Sequence, residues 1–410
     1  MITNDEEEAA MTILDAERTT AEVDYGLYDA DEHYYEPTDA LTRHLAREFK
    51  RTVRWADIEG RQTLVINNKL VTVVPNPTYD PVGVPGSLEV YFRAQNHEAR
   101  ELRDIVKMAP IQPEYRERDA RVKVMDAQGV DFAWLLPSLG LGIEEMLSDD
   151  PPTAHAIFEA YNRWLDEDWG YDRDGRLQTG PLIPFLDPAR AEAELARVIE
   201  LGAKFVTLRP APTRAPGLHR SPGDPAHDRI WAMAAEANLV IGIHAADSGY
   251  GKYVADWGES DRYTGMKASP LQEVMSVHIE RPIFDMMAAM ICHGVFDRHP
   301  NLRVATIELG AAWVPELHRR LRVSYGKYPQ NFAQDPVESF RKHVWIAPFY
   351  EDDVRVLRDA HGADRVLLGS DFPHPEGLAE PRAWIPDFAC LEPDEMRLAL
   401  RDNLKSLSGR

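Results

Sequence analysis

Arg365-Val-Leu-Leu-Gly-Ser-Asp-Phe-Pro-His-Pro-Glu376 is the stretch of sequence that decides the fold. A short apolar run with the character of a buried strand ends there on Asp371, immediately before a loop bracketed by prolines. Because an unpartnered buried carboxylate is energetically costly, a strand that ends on one indicates that the carboxylate binds something. Asp31 and His33 close a short strand near the N-terminus, and His244 closes another apolar run in the middle of the chain. Polar side chains at these three strand ends predict one metal site assembled from distant parts of the sequence.

Strand and helix signals alternate along the rest of the chain. We predict strands at 24–31, 130–137, 178–185, 203–209, 239–245, 302–308, 343–347 and 365–371. Amphipathic helical segments follow at about 117–128, 152–171, 188–201, 226–238, 271–293, 312–324, 352–361 and 392–407. Alternation of this kind indicates an α/β fold, a (β/α)8 TIM barrel, with residues 21–410 as a single domain.

Two long stretches interrupt this alternation. Residues 45–112 follow the first strand, and we interpret them as an insertion that forms either a small surface lobe or a lid over the barrel. Residues 247–270 follow the fifth strand and are rich in aromatic side chains, namely Tyr250, Tyr253, Trp257 and Tyr263. We predict that this loop walls a substrate pocket and that Tyr250 and Trp257 contact the substrate; a subunit interface is the alternative. The acidic residues 1–20 are predicted to be an N-terminal tail or an arm exchanged between subunits.

The amino-acid composition indicates which binding partners and which cellular compartment to expect. The chain has 410 residues, with 46 Lys and Arg against 68 Asp and Glu, a net charge of −22. Such a charge argues against nucleic acid or an anionic membrane as a partner, so we expect a small-molecule substrate. The 2 cysteines indicate no disulfide framework, and no apolar run is long enough to span a bilayer. We therefore expect a cytoplasmic protein, and a homo-oligomer, most simply a dimer.

The predicted metal site depends on several strand ends meeting at one place, because no single motif is enough to predict it. Asp31 and His33 are two residues apart on an extended segment, so both side chains are expected on one face, with Asp29 one step deeper and Glu32 on the opposite face. Alone, this pair would be an ordinary loop cap beside an exposed histidine. A set of imidazoles and carboxylates without thiolates suits one divalent cation, Zn²⁺ or Mn²⁺, with Fe²⁺ as a further candidate.

The chain resembles the amidohydrolase superfamily, specifically its amidohydrolase-related branch, also called amidohydrolase 2. The resemblance extends over about residues 24–407 and is carried by Asp29-Ala-Asp-Glu-His-Tyr-Tyr-Glu-Pro37, by Gly242-Ile-His244, by Gly294-Val-Phe-Asp-Arg-His-Pro300 and by Leu368-Gly-Ser-Asp-Phe-Pro-His374. That branch contains metal-dependent hydrolases and non-oxidative decarboxylases of aromatic and muconate-type acids. The resemblance implies that Asp31, His33, His244 and Asp371 are the metal ligands.

This sequence departs from the family pattern at two strand ends. Asp31 stands where His or Glu is usual, which favours a harder ion such as Mn²⁺ over Zn²⁺. Glu308 ends the sixth strand where a histidine motif is usual, so we expect either Glu308 or His293, from the preceding helix end, to take over as acid, base or partner of the site. No lysine ends the fourth strand, which argues against a two-metal site bridged by a carbamylated lysine.

Two further residues have competing interpretations. Arg209, at the end of the fourth strand, either binds a substrate carboxylate or pairs with a structural acid. His374 either reaches the mouth of the barrel and contacts the substrate or belongs to a turn shaped by Pro373 and Pro375.

The function expected first is hydrolysis of a small organic molecule by a metal-activated water, with Asp371 as the general base. The alternative is non-oxidative decarboxylation of an aromatic or unsaturated carboxylic acid. A catalytically inactive barrel that serves as a scaffold is the third possibility.

Overall fold

The computed structural model of the chain describes residues 22–261 and 269–410. The predicted acidic tail at 1–20 and Tyr263 of the aromatic loop lie outside these ranges.

Parallel strands form the wall of a barrel, and the predicted (β/α)8 fold is confirmed. In the described ranges these strands are β1 Leu27–Tyr34, β2 Val130–Pro137, β3 Leu177–Thr179, β4 Phe205–Leu208, β5 Val240–His244, β6 Arg303–Ile307 and β7 Val344–Ile346. One sheet has the order β1-β2-β3 and the other has the order β7-β6-β5-β4. A single bridge from Leu182 to Thr207 joins the segment after β3 to β4. Segment 366–372 occupies the eighth position, where its bridges to Ile346, Asp29 and Glu32 complete the ring.

The third and eighth strands differ from the prediction in how they pair. The third was predicted at 178–185, but pairing in the ladder ends at Thr179. Pro181 and Pro184 lack the backbone N–H that a longer ladder would need. The eighth, predicted at 365–371, pairs only through the single bridges of segment 366–372.

Helices form the outer layer of the barrel. The principal ones are Arg118–Gln128, Pro151–Asp168, Pro188–Glu200, Asp228–Glu236, Glu280–Cys292, Trp313–Lys327, Pro336–His343, Val354–His361 and Asn403–Ser408. The helix predicted at 271–293 is interrupted, because Ser276 has a positive φ of 46° that ends Pro270–Val274 before Glu280–Cys292 begins. The helix Pro336–His343 was not predicted, although Asp335 caps it and proline begins it.

Aromatic side chains fill the interior of the barrel beneath the strand ends. Trp134 stacks on Phe205 with ring centroids 4.7 Å apart, and Tyr28 stacks on Phe132 at 5.1 Å. Leu404 of the C-terminal helix packs in the same buried cluster. The interior is therefore a packed core that gives a rigid floor to the carboxyl ends of the strands.

One extra residue in β1 changes the faces that the sequence predicted. Asp29 pairs with Ala133 and Glu32 pairs with Leu135, so β1 advances three residues while β2 advances two. The prediction that Asp29 shares a face with Asp31 and His33 is therefore wrong. Instead, the Asp29 carboxylate accepts hydrogen bonds from the backbone N–H groups of Asp31 and Ser370, both at 3.0 Å, and ties β1 to segment 366–372.

A buried ion pair fixes the outer side of β1. Glu32 and Arg121 are both fully buried, and Arg121 Nη1 donates to Glu32 Oε2 at 2.9 Å. The same guanidinium donates to the backbone oxygen of His33 at 2.6 Å and to that of Glu114 at 2.9 Å. Arg121 thus holds the backbone of the strand end that carries Asp31 and His33.

The insertion at 45–112 is structured and packs onto the carboxyl-terminal side of the barrel. It contains the antiparallel strands Val53–Ile58, Arg61–Ile66 and Lys69–Leu70. The Leu88 N–H donates to the Pro375 oxygen at 2.8 Å, and Lys69 Nζ donates to the Met146 oxygen at 2.6 Å. The insertion therefore contacts the loops that follow β2 and segment 366–372, and its role as a lid stays a prediction.

None of the helices in the described ranges has the length and hydropathy needed to cross a membrane.

Arg121→Met should lower the free energy of unfolding by about 3–5 kcal/mol, because it leaves the Glu32 charge buried without a partner. Denaturant unfolding followed by circular dichroism measures the loss. Lys123→Met, exposed on the same helix, is the control and should change stability by less than about 0.5 kcal/mol. Adding Glu32→Gln to Arg121→Met should recover much of the loss; no recovery would contradict the assigned cause.

Candidate metal centre

Four side chains from separate parts of the chain meet at the carboxyl ends of the strands. His33 Nε2 lies 3.2 Å from Asp31 Oδ1 and 3.3 Å from Asp371 Oδ1. His244 Nε2 lies 3.2 Å from His33 Nε2 and 3.6 Å from Asp31 Oδ1. The structure therefore brings together the four residues that the sequence suggested as ligands.

Backbone carbonyls orient both imidazoles of this group. The His33 Nδ1 lies 3.1 Å from the Pro137 oxygen, and the His244 Nδ1 lies 2.9 Å from the Ala245 oxygen. A carbonyl can only accept, so each Nδ1 carries a proton and each ring turns its Nε2 towards the other. Metal-binding histidines are held in this way, with the second nitrogen donating to an acceptor.

The Asp31 carboxylate supports a site for a cation. Asp31 is only 2% exposed, and its Oδ1 is buried without a hydrogen-bond donor. This oxygen faces the Nε2 atoms of His33 and His244, and such a contact is favourable when a proton or a metal ion lies between the atoms. Asp31, His33, His244 and Glu308 offer ligand atoms that all lie within 4.8 Å of one another, and Asp371 belongs to a second such group with His33 and His374. Imidazole nitrogens and carboxylate oxygens suit Zn²⁺, Mn²⁺ or Fe²⁺, so the centre is a possible metal site.

Three more polar side chains border this group. Glu308 Oε2 lies 3.0 Å from His244 Nε2, and His374 Nδ1 lies 2.6 Å from Asp371 Oδ1. Glu376 has a carboxylate oxygen close to those of Glu308 and Asp371, and its Oε2 is buried without a hydrogen-bond donor.

The two acidic residues at the ends of β6 and of the eighth position have unusual backbones. Glu308 has a φ of 54° and Asp371 a φ of 58°, both in the left-handed region. For residues other than glycine this conformation costs about 1 kcal/mol or more. Here it turns each carboxylate into the mouth of the barrel, and such strain is typical of functional sites.

Burial and neighbouring charges shift the pKa values of the acids and bases in the centre. Burial, reinforced by the charges of Glu308 and Glu376, raises the pKa of Asp371 well above its usual value. Burial also acts to raise the pKa of Asp31, but the imidazoles of His244 and His33 outweigh it and hold that pKa below its usual value. Burial acts to lower the pKa of His244, yet Glu308 and Asp31 raise it well above normal. The centre is therefore short of positive charge, as expected of a cation-binding site.

Comparison with known proteins assigns the fold to a family. The family model described as Amidohydrolase matches residues 95–403. The structure of an amidohydrolase from Mycobacterium avium subsp. paratuberculosis K-10 is 42% identical, with a TM-score of 0.89 over 95% of this chain and 100% of that chain. The chain belongs to the amidohydrolase family.

More distant structures share the fold of this amidohydrolase. A 2,6-dihydroxybenzoate decarboxylase from Rhizobium is 16% identical, with a TM-score of 0.60 over 94% of this chain and 99% of that chain. A dihydroxybenzoic acid decarboxylase from Polaromonas sp. JS666, with bound manganese and 2-nitroresorcinol, is 14% identical, with a TM-score of 0.58 over 94% of this chain and 97% of that chain.

The fold of this chain does not bring Arg209 or His293 to the candidate metal centre. The Arg209 guanidinium lies 3.0 Å from Glu144 Oε1 and 2.7 Å from Glu145 Oε2, and it also donates to the Asp247 oxygen at 2.8 Å. Of the two interpretations of Arg209, the structural ion pair is therefore the one observed. His293 follows the helix Glu280–Cys292 in the outer layer, where it is exposed and its Nδ1 lies 2.8 Å from Ser221 Oγ. The expectation that His293 leans into the site is wrong.

The aromatic loop after β5 offers less to a pocket than its composition suggested. Trp257 is 65% exposed and Tyr253 is 46% exposed. Tyr250 is half-buried, but its hydroxyl donates to Asp285 Oδ2 at 3.0 Å. Their contact with a substrate stays a prediction.

Sequence reasoning gave no role to two residues that border the centre. Glu376 belongs to the decisive stretch, and its distance of five residues from Asp371 was an available signal. Ser138, the residue after β2, lies with its Oγ 2.8 Å from His374 Nε2. No sequence signal marks Ser138, because only the barrel brings residues 138 and 374 together.

His244→Ala should remove the metal ion while the barrel stays folded, because a strand-end ligand contributes little to the packed core. Elemental analysis of the purified protein measures the metal content, and circular dichroism checks the fold. His219→Ala, in the exposed hairpin after β4, is the matched control and should keep the metal. Full metal occupancy in His244→Ala would contradict the ligand assignment.

Proposed function

We propose that this amidohydrolase hydrolyses a small, uncharged organic substrate with the help of one divalent metal ion held by Asp31, His33, His244 and Asp371. The observation that carries the proposal is the charge of the centre. Asp31, Glu308, Asp371 and Glu376 place their carboxylates around two imidazoles, and in the described part of the chain none of the four pairs with a lysine or an arginine.

This charge favours a neutral substrate over a carboxylic acid. Enzymes that bind a carboxylate usually present an arginine or a lysine to it. Arg209, the cation that the sequence suggested for that task, is engaged by Glu144 and Glu145. Arg121 is likewise engaged by Glu32. An anionic substrate would therefore meet uncompensated carboxylates beyond the metal ion.

The residues of the site have the properties that hydrolysis requires. Bound at these atoms, a divalent cation would supply Lewis acidity, polarising a carbonyl and acidifying a water molecule. Asp371, whose Oδ1 lies 3.3 Å from His33 Nε2, is suited to accept a proton from that water on a carboxylate oxygen. Glu308, half-buried at 3.0 Å from His244 Nε2, is placed to hold the water or the leaving group by a hydrogen bond.

Manganese is the ion that this donor set favours. Carboxylates make up half of the four proposed ligands, and the neighbouring Glu308 and Glu376 add further oxygen atoms. Oxygen-rich sets suit Mn²⁺ better than Zn²⁺, which prefers sites rich in nitrogen and sulfur.

Asp371→Asn should lower kcat by about 10²–10⁴-fold, because the amide cannot accept a proton. It should keep part of the metal, since the amide oxygen can still coordinate. The assay is hydrolysis of a panel of esters, lactones and amides by the Mn²⁺-loaded protein, with elemental analysis alongside. Asp364→Asn, an exposed change before the eighth position, is the control and should leave the rate unchanged. Near-normal turnover by Asp371→Asn would remove Asp371 from the role of base.

Decarboxylation is the second candidate, and Asp31 is the observation that favours it. A first-strand carboxylate in place of the usual histidine resembles the Glu of some decarboxylases of this branch. In that reaction a carboxylate substrate would lose CO₂ and gain a proton at carbon, with no water consumed.

Hydroxylated benzoates distinguish the two reactions. If the enzyme is a hydrolase, the Mn²⁺-loaded protein should release no CO₂ from a panel of these acids and should incorporate ¹⁸O from labelled water into the products of an ester or lactone. Release of CO₂ without ¹⁸O uptake would establish decarboxylation and overturn the hydrolase proposal.

A further inference from the structure

A chain of hydrogen-bonding groups leads from the backbone of β1 to Asp371. Ser138 Oγ donates to the Tyr34 oxygen at 2.8 Å. The same Oγ lies 2.8 Å from His374 Nε2, and His374 Nδ1 lies 2.6 Å from Asp371 Oδ1. Both nitrogens of the His374 ring are therefore engaged, one by the loop after β2 and the other by Asp371.

The direction of these bonds follows from what each atom can do. The Tyr34 carbonyl can only accept, so it takes the single hydroxyl proton of Ser138. Ser138 Oγ must then accept from the His374 Nε2–H. The 2.6 Å contact between His374 Nδ1 and Asp371 Oδ1 then requires one more proton, carried either by the imidazole or by the Asp371 carboxyl group. With both nitrogens bonded, the orientation of the ring sets the position of Oδ1.

Other contacts fix the groups at both ends of this series of hydrogen bonds. The Glu36 carboxylate accepts from the backbone N–H groups of Leu139 at 3.0 Å and Gly140 at 3.1 Å, and from the Tyr161 hydroxyl at 2.7 Å. These bonds anchor the loop next to Ser138. The His374 ring packs on the His33 ring, with centroids 4.0 Å apart. Because its Nδ1 also contacts Asp371, His374 lies between two of the proposed ligands.

We propose that Ser138 and His374 are positioning residues that hold Asp371 in the orientation needed to bind the metal ion. The inference rests on the proposed metal-dependent function. The left-handed backbone of Asp371 gives a reason for such support, because a strained residue keeps its conformation only where its neighbours fix it. Partners of this kind commonly change metal affinity by about 10–100-fold when they are removed.

Mn²⁺ affinity of the full-length protein tests the proposal without any substrate. Electron paramagnetic resonance of free Mn²⁺ gives Kd for the wild type and for three variants. Ser138→Ala should raise Kd by about 10-fold, and Ser138→Thr, which keeps the hydroxyl, should stay close to the wild type. His374→Phe, which keeps a ring against His33 but removes both nitrogens, should raise Kd by up to about 100-fold.

Ser221→Ala is the matched control, because Ser221 makes the same kind of bond to His293 in the outer layer. It should leave Kd unchanged. Melting temperatures of the metal-free variants check that each one folds, and Ser138→Thr separates loss of the hydroxyl from loss of packing.

The outcomes separate this inference from the proposed function. Equal Kd values for the wild type, Ser138→Ala and His374→Phe would overturn the positioning role while leaving the metal site intact. A wild-type protein that binds no Mn²⁺, or any other divalent ion supplied, would overturn the metal-dependent function together with the inference.

Discussion

The structure depends on holding together polar side chains that crowd one another. The Nε2 atoms of His33 and His244 lie 3.2 Å apart, and the buried Asp31 Oδ1 beside them has no hydrogen-bond donor. Side chains this crowded keep their positions only where surrounding bonds prevent them from turning away. Carbonyls fix the two rings from behind, so the fold itself holds these side chains in place.

The scaffold provides that restraint through the backbone rather than through loops. An extra residue in β1 turns Asp31 and His33 towards the mouth and sends Glu32 outward to Arg121. The buried ion pair then locks the backbone of the same strand end from the outer layer. Because its partner is a helix residue nearly ninety positions away, the geometry of β1 depends on the packing of the first barrel helix.

Charge distribution sets the chemistry that this scaffold can support. Carboxylates gather at the mouth, while Arg209 is paired with Glu144 and Glu145. A site built in this way attracts cations and disfavours anions beyond the reach of the metal ion. The net charge of −22 has the same sign, and both features point towards substrates without a carboxylate.

The sequence alone predicted the barrel and the four side chains that meet at its mouth. Alternating apolar runs and amphipathic segments report burial directly, and strand ends such as His244 and Asp371 need no long-range information to be recognised as polar residues in apolar surroundings. Only the tertiary structure decided three features of the site. These are the face of β1 that Asp29 occupies, the acids that pair with Arg209, and the contact between Ser138 and His374. Each depends on register or on atoms far apart in sequence: one residue inserted in β1 reverses a face, and a side chain's partner is chosen by what folding brings within about 3 Å of it.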